Sequence, residues 1–246
     1  MVRAVVFDVG ETLIDETRIW TRWAARLGVP ALTFHAMLGA CAALDLPHQA
    51  AFDLVRPGLD LAAEEAAWAA ADPDGLRNGF DAEDLYPDVV PALTALRAAG
   101  LRLVIAGNQP PHALTALRAM DLPVDAIRNS AELGVEKPDP AFFAAVADLA
   151  GVDASEIAYV GDRVDNDVLP AADAGMVPVL LRRGPWGYLH AHRPQAARAH
   201  VVDSLLDLPG LFATPGAHIA PGSGAVARHV AERTGPSTGA PGTAPA

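Results

Sequence analysis

Lysine is almost absent from this chain of 246 residues. Of its 18 basic residues, only Lys137 is a lysine and the others are arginines. An ammonium group is a compact charge with rotatable donors, whereas a guanidinium group is a wide planar fork. A single lysine in the loop 134–140 therefore indicates a crowded position where a small cation balances anions. The alternative is an ordinary surface residue, and the neighbouring motifs decide between the two.

Basic charge, cysteine and long apolar runs are also scarce. The 18 basic residues stand against 30 acidic ones, and the net charge of −12 argues against nucleic acid or an anionic membrane as a partner. No apolar run approaches the roughly 20 residues that span a bilayer, and the start lacks a signal-peptide pattern. The lone Cys41 excludes an internal disulfide, so we expect a cytoplasmic protein. A small anionic substrate is compatible if a metal and Lys137 reverse the local charge.

Short apolar runs predict buried strands, each followed by polar residues or glycine. The runs are 4–7, 101–105, 157–160 and 177–181. Helical patterns alternate with them at about 89–99, 111–120, 140–150 and 165–174. Gly100, Gly151 and Gly175 stand where helices commonly end. This alternation predicts an α/β fold with a doubly wound, mostly parallel, Rossmann-like sheet.

A helical module interrupts this pattern after the first strand. Helical stretches at 17–27, 31–44 and 62–71 follow one another, and their tryptophans are spaced as core residues. We expect a core domain of residues 1–14 and 81–212, with an inserted helical cap of residues 15–80. Residues 213–246 are rich in Gly, Pro and Ala, and they are predicted to be a disordered tail.

Polar residues follow the predicted strands at separate points in the sequence. In doubly wound sheets, ligands bind beyond the carboxyl ends of the strands. Asp8 comes directly after the first predicted strand, Asn108 three residues after the second and Asp162 two residues after the third. We therefore expect these side chains to converge.

Segments 5–13 (VVFDVGETL), 105–108 (IAGN), 136–138 (EKP) and 160–167 (VGDRVDND) resemble the motifs of the haloacid dehalogenase-like (HAD) hydrolase superfamily. The resemblance extends to about residue 210 and includes a cap between the first and second motifs. It implies that Asp8 is a nucleophile, and that Lys137 neutralises the carboxylates and holds the transferred group.

The same resemblance implies a magnesium site. Asp8, Asp162 and the carbonyl of Gly10 would bind Mg²⁺, and Asp167, or less favourably Asp165, would complete the site. For Asp162 and Asp167, the alternative is a role in capping the following helix. Gly107 and Asn108 would bind the substrate, with Asn108 also among the catalytic residues.

Two departures from the family pattern bear on activity. Phosphatases of the superfamily carry a second Asp two residues after the nucleophile, where this chain has Gly10. Loss of such an acid/base costs about 10²–10⁴-fold in rate. Glu11 is one candidate to replace it, although its side chain should point elsewhere; an acid from the cap or a good leaving group would also permit turnover. At Gly107 the usual Ser or Thr hydroxyl is missing, and backbone N–H groups could serve instead.

These features favour a Mg²⁺-dependent phosphatase of a small phosphate monoester acting through an aspartyl-phosphate. One alternative is a weakly active or non-catalytic binding protein. Another is a 2-haloacid dehalogenase, which resembles this chain in lacking the acid but works without metal and without an acidic cluster. Phosphonate-cleaving relatives need a cap lysine, and none is present in 15–80. The substrate and the oligomeric state stay open.

Other candidate residues carry weaker signals. His190 and His192 form a His-x-His pair that is predicted to lie in a solvated loop. Arg182 and Arg183 follow a strand and could face either the site or solvent. The remaining candidates are arginines of the predicted cap, which could contact a substrate anion: Arg18, Arg22 and Arg56.

Overall fold

The computed structural model describes residues 1–71 and 79–213. Its strands are β1 (Ala4–Phe7), β2 (Arg102–Gly107), β3 (Ala126–Asn129), β4 (Ile157–Gly161), β5 (Val177–Leu181) and β6 (His200–Val202). Its helices are α1 (Thr17–Leu27), α2 (Ala31–Ala43), α3 (Ala50–Val55), α4 (Leu61–Ala71), α5 (Val89–Ala98), α6 (Pro111–Ala119), α7 (Ser130–Leu133), α8 (Pro140–Ala150), α9 (Leu169–Asp173), α10 (Gly184–His190) and α11 (Leu208–Phe212).

The strands form one parallel sheet in the order β3-β2-β1-β4-β5-β6. Phe7 of β1 pairs with Ile105 on one side and with Val160 on the other, so the carboxyl ends of the three central strands lie at the same edge of the sheet. Apolar side chains of both faces are buried under helices, as continuous apolar runs require. The predicted α/β fold with a Rossmann-like sheet is thereby confirmed.

The sequence patterns missed the edges of this sheet. β3 and β6 lie at its two ends and were not predicted, nor was the short helix α3. The predicted helix 165–174 is divided into a π-helical turn, Val164–Val168, followed by α9. π-Turns are rare and are concentrated at functional sites, which directs attention to the residues of this turn.

Helices α1–α4 lie between β1 and β2 in the chain and share an aromatic core. The ring of Trp23 packs edge-on against Phe52 at 5.0 Å and against Trp68 at 4.6 Å between centroids. Phe34 packs against Phe52 at 5.1 Å. Such contacts stabilise a packed core beyond the area they bury, in agreement with the predicted structural role of these aromatic residues.

The module joins the sheet domain through arginine contacts. Arg18 of α1 is bonded to Asp84, and also pairs with Asp81 at 2.8 Å and Glu83 at 3.2 Å, in the segment that leads back to α5. Arg193 bonds to Asp45 and donates to the carbonyl of Ala42 at 3.0 Å. These pairs fix where α1 and α2 stand relative to the sheet.

Two predictions fall on parts of the chain that are not described. Residues 72–78 of the predicted cap and residues 214–246 of the predicted disordered tail lie outside the described ranges. Among the described helices, none has the length and apolar character needed to cross a membrane.

Candidate active site

Asp8 and Asp162, two of the three residues predicted to converge, meet beyond the ends of the central strands. Asp8 follows β1, and its N–H donates to the carbonyl of Val160 at 2.9 Å, which places it beside the end of β4. Asp162 follows β4 and is buried. Their carboxylate oxygens and that of Asp167 lie within 4.8 Å of one another. The adjacency of β1 and β4 in the sheet produces this cluster.

Lys137 is buried in the middle of the cluster. Its Nζ donates to Asp8 Oδ1 and to Asp167 Oδ1, each at 2.6 Å, and its side chain is 1% exposed. Nζ also lies 5.5 Å from the centre of the Tyr159 ring. The alternative of an ordinary surface lysine is therefore wrong, because a buried ammonium held by two carboxylates is part of the site.

Asn108 holds the backbone of Lys137 on both sides. Its Nδ2 donates to the Lys137 carbonyl and its Oδ1 accepts from the Lys137 N–H, both at 2.8 Å. One N–H of Nδ2 and one lone pair of Oδ1 are thus engaged with the lysine backbone. The side chain of Asn108 therefore positions Lys137.

The π-helical turn brings Asp167 into the cluster and turns Asp165 away. Asp167 Oδ2 accepts from the Arg163 N–H at 2.9 Å, while Oδ1 faces Lys137. Asp165 is half exposed and pairs with the Arg163 guanidinium at 2.5 Å. Of the two carboxylates considered from the sequence, Asp167 joins the cluster.

Burial and the repulsion between neighbouring carboxylates shift the pKa values of this cluster. Burial and the carboxylates of Asp167 and Asp8 hold the pKa of Asp162 well above its ordinary value. Burial also raises the pKa of Asp167 to about 6, although Lys137 opposes this shift. For Lys137, burial lowers the pKa, but the two carboxylates outweigh burial and raise the pKa. Lys137 is therefore charged, whereas the raised pKa values of Asp162 and Asp167 indicate that one ammonium group does not offset the negative charge of this cluster.

The donor set fits a hard divalent cation. Three buried carboxyl groups face one ammonium, and oxygen ligands of this kind are those that Mg²⁺ prefers. Within the described ranges, the hydrogen bonds to this cluster go to Asp8 and Asp167, and none goes to Asp162. A cation beside Asp162 would satisfy that carboxylate and favour its ionised form.

Gly107 and Gly161 have no side chains, and carboxylates of the site occupy the space where their β-carbons would lie. A β-carbon on Gly107 would lie 2.7 Å from Asp8 Oδ1, and one on Gly161 would lie 2.3 Å from Asp167 Cγ. Both distances are too short for real contacts. The missing side chain at Gly107 thus permits the Asp8 carboxylate to approach β2.

We expect Gly161→Ala to displace Asp167 and to destabilise the fold by about 1–3 kcal/mol, as overpacking does. The neighbour of the new methyl group is the buried Asp167 side chain, which cannot move aside without losing its bond to Lys137. Urea denaturation measures the loss. The matched control is Gly39→Ala in α2, where a β-carbon meets no atom within 4 Å and the exchange should be neutral or stabilising. Equal stability of both variants would contradict the packing argument.

Both carboxylate oxygens of Glu11 accept hydrogen bonds that stabilise the loop after β1. Its Oε2 accepts from the Tyr86 hydroxyl at 2.6 Å, and its Oε1 accepts from the Glu16 N–H at 3.1 Å. Its φ of 50° is left-handed, which is uncommon for a residue with a β-carbon. These two bonds hold the strained turn, so the acid next to Gly10 has a structural task.

Sequence reasoning missed Glu16, the residue that precedes α1. A β-carbon on Gly10 would lie 2.5 Å from Glu16 Oε1 and 2.8 Å from the carboxyl carbon. Burial, followed by the carboxylates of Glu11 and Asp8, raises the pKa of Glu16 to about 8. No spacing rule could have identified it, because its approach depends on how the loop folds back.

The weaker sequence candidates take structural positions. His190 is buried, and its Nδ1 accepts from the Val164 N–H at 2.9 Å at the start of the π-helical turn, so the predicted solvated loop is wrong for this residue. Arg183 donates to Asp88 at 2.5 Å and to the Thr12 carbonyl at 2.8 Å. Arg182 pairs with Asp203 at 2.6 Å.

The predicted cap arginines are also engaged with the protein. Arg18 binds the acids described above, and Arg22 donates to the Gly79 carbonyl at 3.3 Å. Arg56 is more than half exposed and lies 3.8 Å from Glu64.

Known proteins resemble this chain over most of its length. A sequence model of the haloacid dehalogenase-like hydrolases matches residues 2–175. A glyceraldehyde 3-phosphate phosphatase of Methanopyrus kandleri is 32% identical over 207 residues, covering 76% of this chain and 86% of the relative. Phosphoglycolate phosphatase 1 of Pseudomonas aeruginosa is 28% identical and covers 84% and 78%. A crystal structure of a dehalogenase matches with a TM-score of 0.60 and 26% identity, covering 87% and 98%.

Proposed function

Because the chain belongs to the haloacid dehalogenase-like hydrolase family, we propose that it is a Mg²⁺-dependent phosphatase of a small phosphate monoester. The observation that carries this proposal is the buried group of Asp8, Asp162 and Asp167 around Lys137. The phosphatase relatives support it, since both act on small phosphorylated molecules by name. The partner is a small anionic substrate, and the location is the cytoplasm.

Asp8 is the nucleophile of this proposal. Its ionised carboxylate attacks phosphorus, forms an aspartyl-phosphate and expels the alcohol; water then attacks phosphorus and releases Asp8. Lys137 lies 2.6 Å from Asp8 Oδ1, so it orients this carboxylate and can hold a phosphoryl oxygen. The backbone N–H groups at Gly107 and Asn108 serve as further donors to the phosphoryl group.

Asp8, Asp162, Asp167 and the carbonyl of Gly10 would hold the magnesium ion. When bound, Mg²⁺ supplies positive charge that offsets the repulsion between a carboxylate nucleophile and an anionic phosphate. Residues 15–80 act as the cap over the core domain of residues 1–14 and 81–212, and they exclude bulk water during the first step.

A metal-independent dehalogenase is the second candidate, favoured by the dehalogenase structure that matches the fold. The acidic cluster argues against it, because three buried carboxyl groups around one ammonium call for another cation. A non-catalytic binding protein is the third candidate, favoured by the missing side chain at Gly10.

Release of inorganic phosphate from a panel of small phosphate esters tests these candidates. A phosphatase releases phosphate with Mg²⁺ and loses this activity in EDTA, and the activity returns when Mg²⁺ is restored. The matched assay is halide release from 2-haloacids, which should be absent with and without the chelator.

Each other outcome identifies a different function. Halide release that is indifferent to EDTA would establish the dehalogenase. Binding of Mg²⁺ and phosphate, with no turnover across the panel, would establish the binding protein.

A further inference from the structure

We propose that Glu16 is the general acid and base of this active site, replacing the side chain that Gly10 lacks. Its carboxyl group occupies the space into which a side chain at position 10 would project, with Oε1 2.5 Å and Cδ 2.8 Å from the position of that β-carbon. This inference rests on the proposed phosphatase function and names a further residue of the same site.

The loop after β1 folds back on itself and carries Glu16 to this place. Gly10 forms a bridge with Ile14, and the Glu11 N–H donates to the Ile14 carbonyl at 2.8 Å. The Asp15 N–H then donates to the Asp84 carbonyl at 2.8 Å, which fixes the loop to the segment before α5. These backbone contacts, together with the bond from the Glu16 N–H to Glu11 Oε1, return residue 16 to the side of residue 10.

One oxygen of Glu16 is held by a hydrogen bond while the other lies beside Gly10. Trp20, one turn further along α1, donates from its indole Nε1 to Glu16 Oε2 at 3.2 Å. Oε1 is the atom nearer the Gly10 position, and no hydrogen bond among the described residues uses it. The indole therefore fixes the carboxyl group with its free oxygen on the side of Gly10.

Glu11 does not offer the same chemistry. Both of its oxygens accept hydrogen bonds, from the Tyr86 hydroxyl and from the Glu16 N–H. A group that transfers a proton needs an oxygen that is available to the substrate. Among the described residues, Glu16 has an oxygen without a hydrogen bond and Glu11 has none.

Glu16 donates a proton in the first step of a turnover and takes up a proton in the second. As Asp8 forms a bond to phosphorus, the bond to the leaving oxygen breaks, and that oxygen takes the proton of the Glu16 carboxylic acid. In the second step the Glu16 carboxylate takes a proton from the attacking water, whose oxygen forms the new bond to phosphorus, and Asp8 leaves. Glu16 is thus returned to its acid form.

The test is the dependence of rate on the leaving group in Glu16→Gln. This variant keeps an acceptor for Trp20 but cannot donate an acidic proton. We compare kcat/KM, because it covers formation of the aspartyl-phosphate and not its hydrolysis, in which Glu16 would act alike for both esters. With an alkyl phosphate, whose alcohol is a poor leaving group, we expect kcat/KM to fall by about 10²–10⁴-fold. With p-nitrophenyl phosphate, which leaves readily as an anion, the fall should be below about tenfold.

Both esters are assayed on one preparation, so their ratio does not depend on the fraction of folded protein. Glu132→Gln makes the same change at an exposed glutamate that pairs with Arg118, and it should leave both rates unchanged. Equal losses with the two esters, or no loss with either, would overturn the role of Glu16. Absence of Asp8-dependent turnover in the wild type would instead overturn the proposed function, and this inference with it.

A second pair of variants tests the shared space directly. Gly10→Asp alone should impair activity because its β-carbon collides with Glu16. Combined with Glu16→Ala, which empties that space, Gly10→Asp should restore cleavage of the alkyl phosphate relative to Glu16→Ala. If the loss of activity in the double variant equals the product of the two single losses, the two side chains do not share one role, and the proposal is contradicted.

Discussion

Asp8→Asn is expected to abolish phosphate release, with kcat falling by at least about 10⁴-fold. An amide is nearly the same shape as a carboxylate, and its oxygen can still accept from Lys137, which lies 2.6 Å from Asp8 Oδ1. The fold should therefore survive while the nucleophile is lost. The measurement is phosphate release with Mg²⁺ from the best ester of the panel, beside the melting temperature of each variant.

Asp203→Asn provides the matched control for this exchange. It makes the same chemical change at an exposed carboxylate that pairs with Arg182, and it should retain full activity. Turnover in Asp8→Asn close to that of the wild type would show that another group attacks phosphorus. A melting temperature far below that of the wild type would show that Asp8 is needed for folding. The loss of activity would then reflect unfolding and not the loss of the nucleophile.

Lys137→Arg is expected to inactivate the protein although it preserves the charge. Nζ lies 2.6 Å from two carboxylates in a space where the lysine side chain is 1% exposed, and a guanidinium group is wider than an ammonium group. We expect kcat/KM to fall by about 10²–10³-fold, the usual cost of losing one group that stabilises the transition state. Lys137→Met should also destabilise the fold by about 3–5 kcal/mol, since it leaves buried carboxylates unpaired.

Phosphate release and chemical denaturation of both variants check these values. Arg3→Lys makes the reverse exchange in an exposed ion pair with Glu156 and should leave both quantities unchanged. Full activity in Lys137→Arg would mean that charge alone matters at this position. The choice of lysine over arginine would then have no bearing on the site.

The central part of the fold could be predicted from sequence because its strands are continuous apolar runs. β1 and β5 have the predicted bounds, and β2 and β4 differ from the predicted runs by only one or two residues at their ends. β3 was missed because Ala-Ile-Arg-Asn has no apolar run, and edge strands need none. β6 has only three residues, too few for a pattern.

The acids of the site could be predicted for a related reason. Parallel strands end at one edge of the sheet, so residues after β1 and β4 must meet. Glu16 could not be predicted in this way, because its approach to Gly10 depends on a bridge within the loop. No sequence pattern indicates that His190 is buried, because its hydrogen-bond partner, the Val164 N–H, is distant in the chain.

Glu16 stands at the base of α1, and the side chain that orients it, Trp20, lies within that helix. In the arrangement we propose, the nucleophile follows a central strand of the sheet, while the proton donor stands at the start of a helix inserted after that strand. The contacts that hold α1 to the segment before α5 therefore also hold Glu16 in place. A substitution that loosens them would weaken protonation of the leaving group while Asp8 and Lys137 keep their contact.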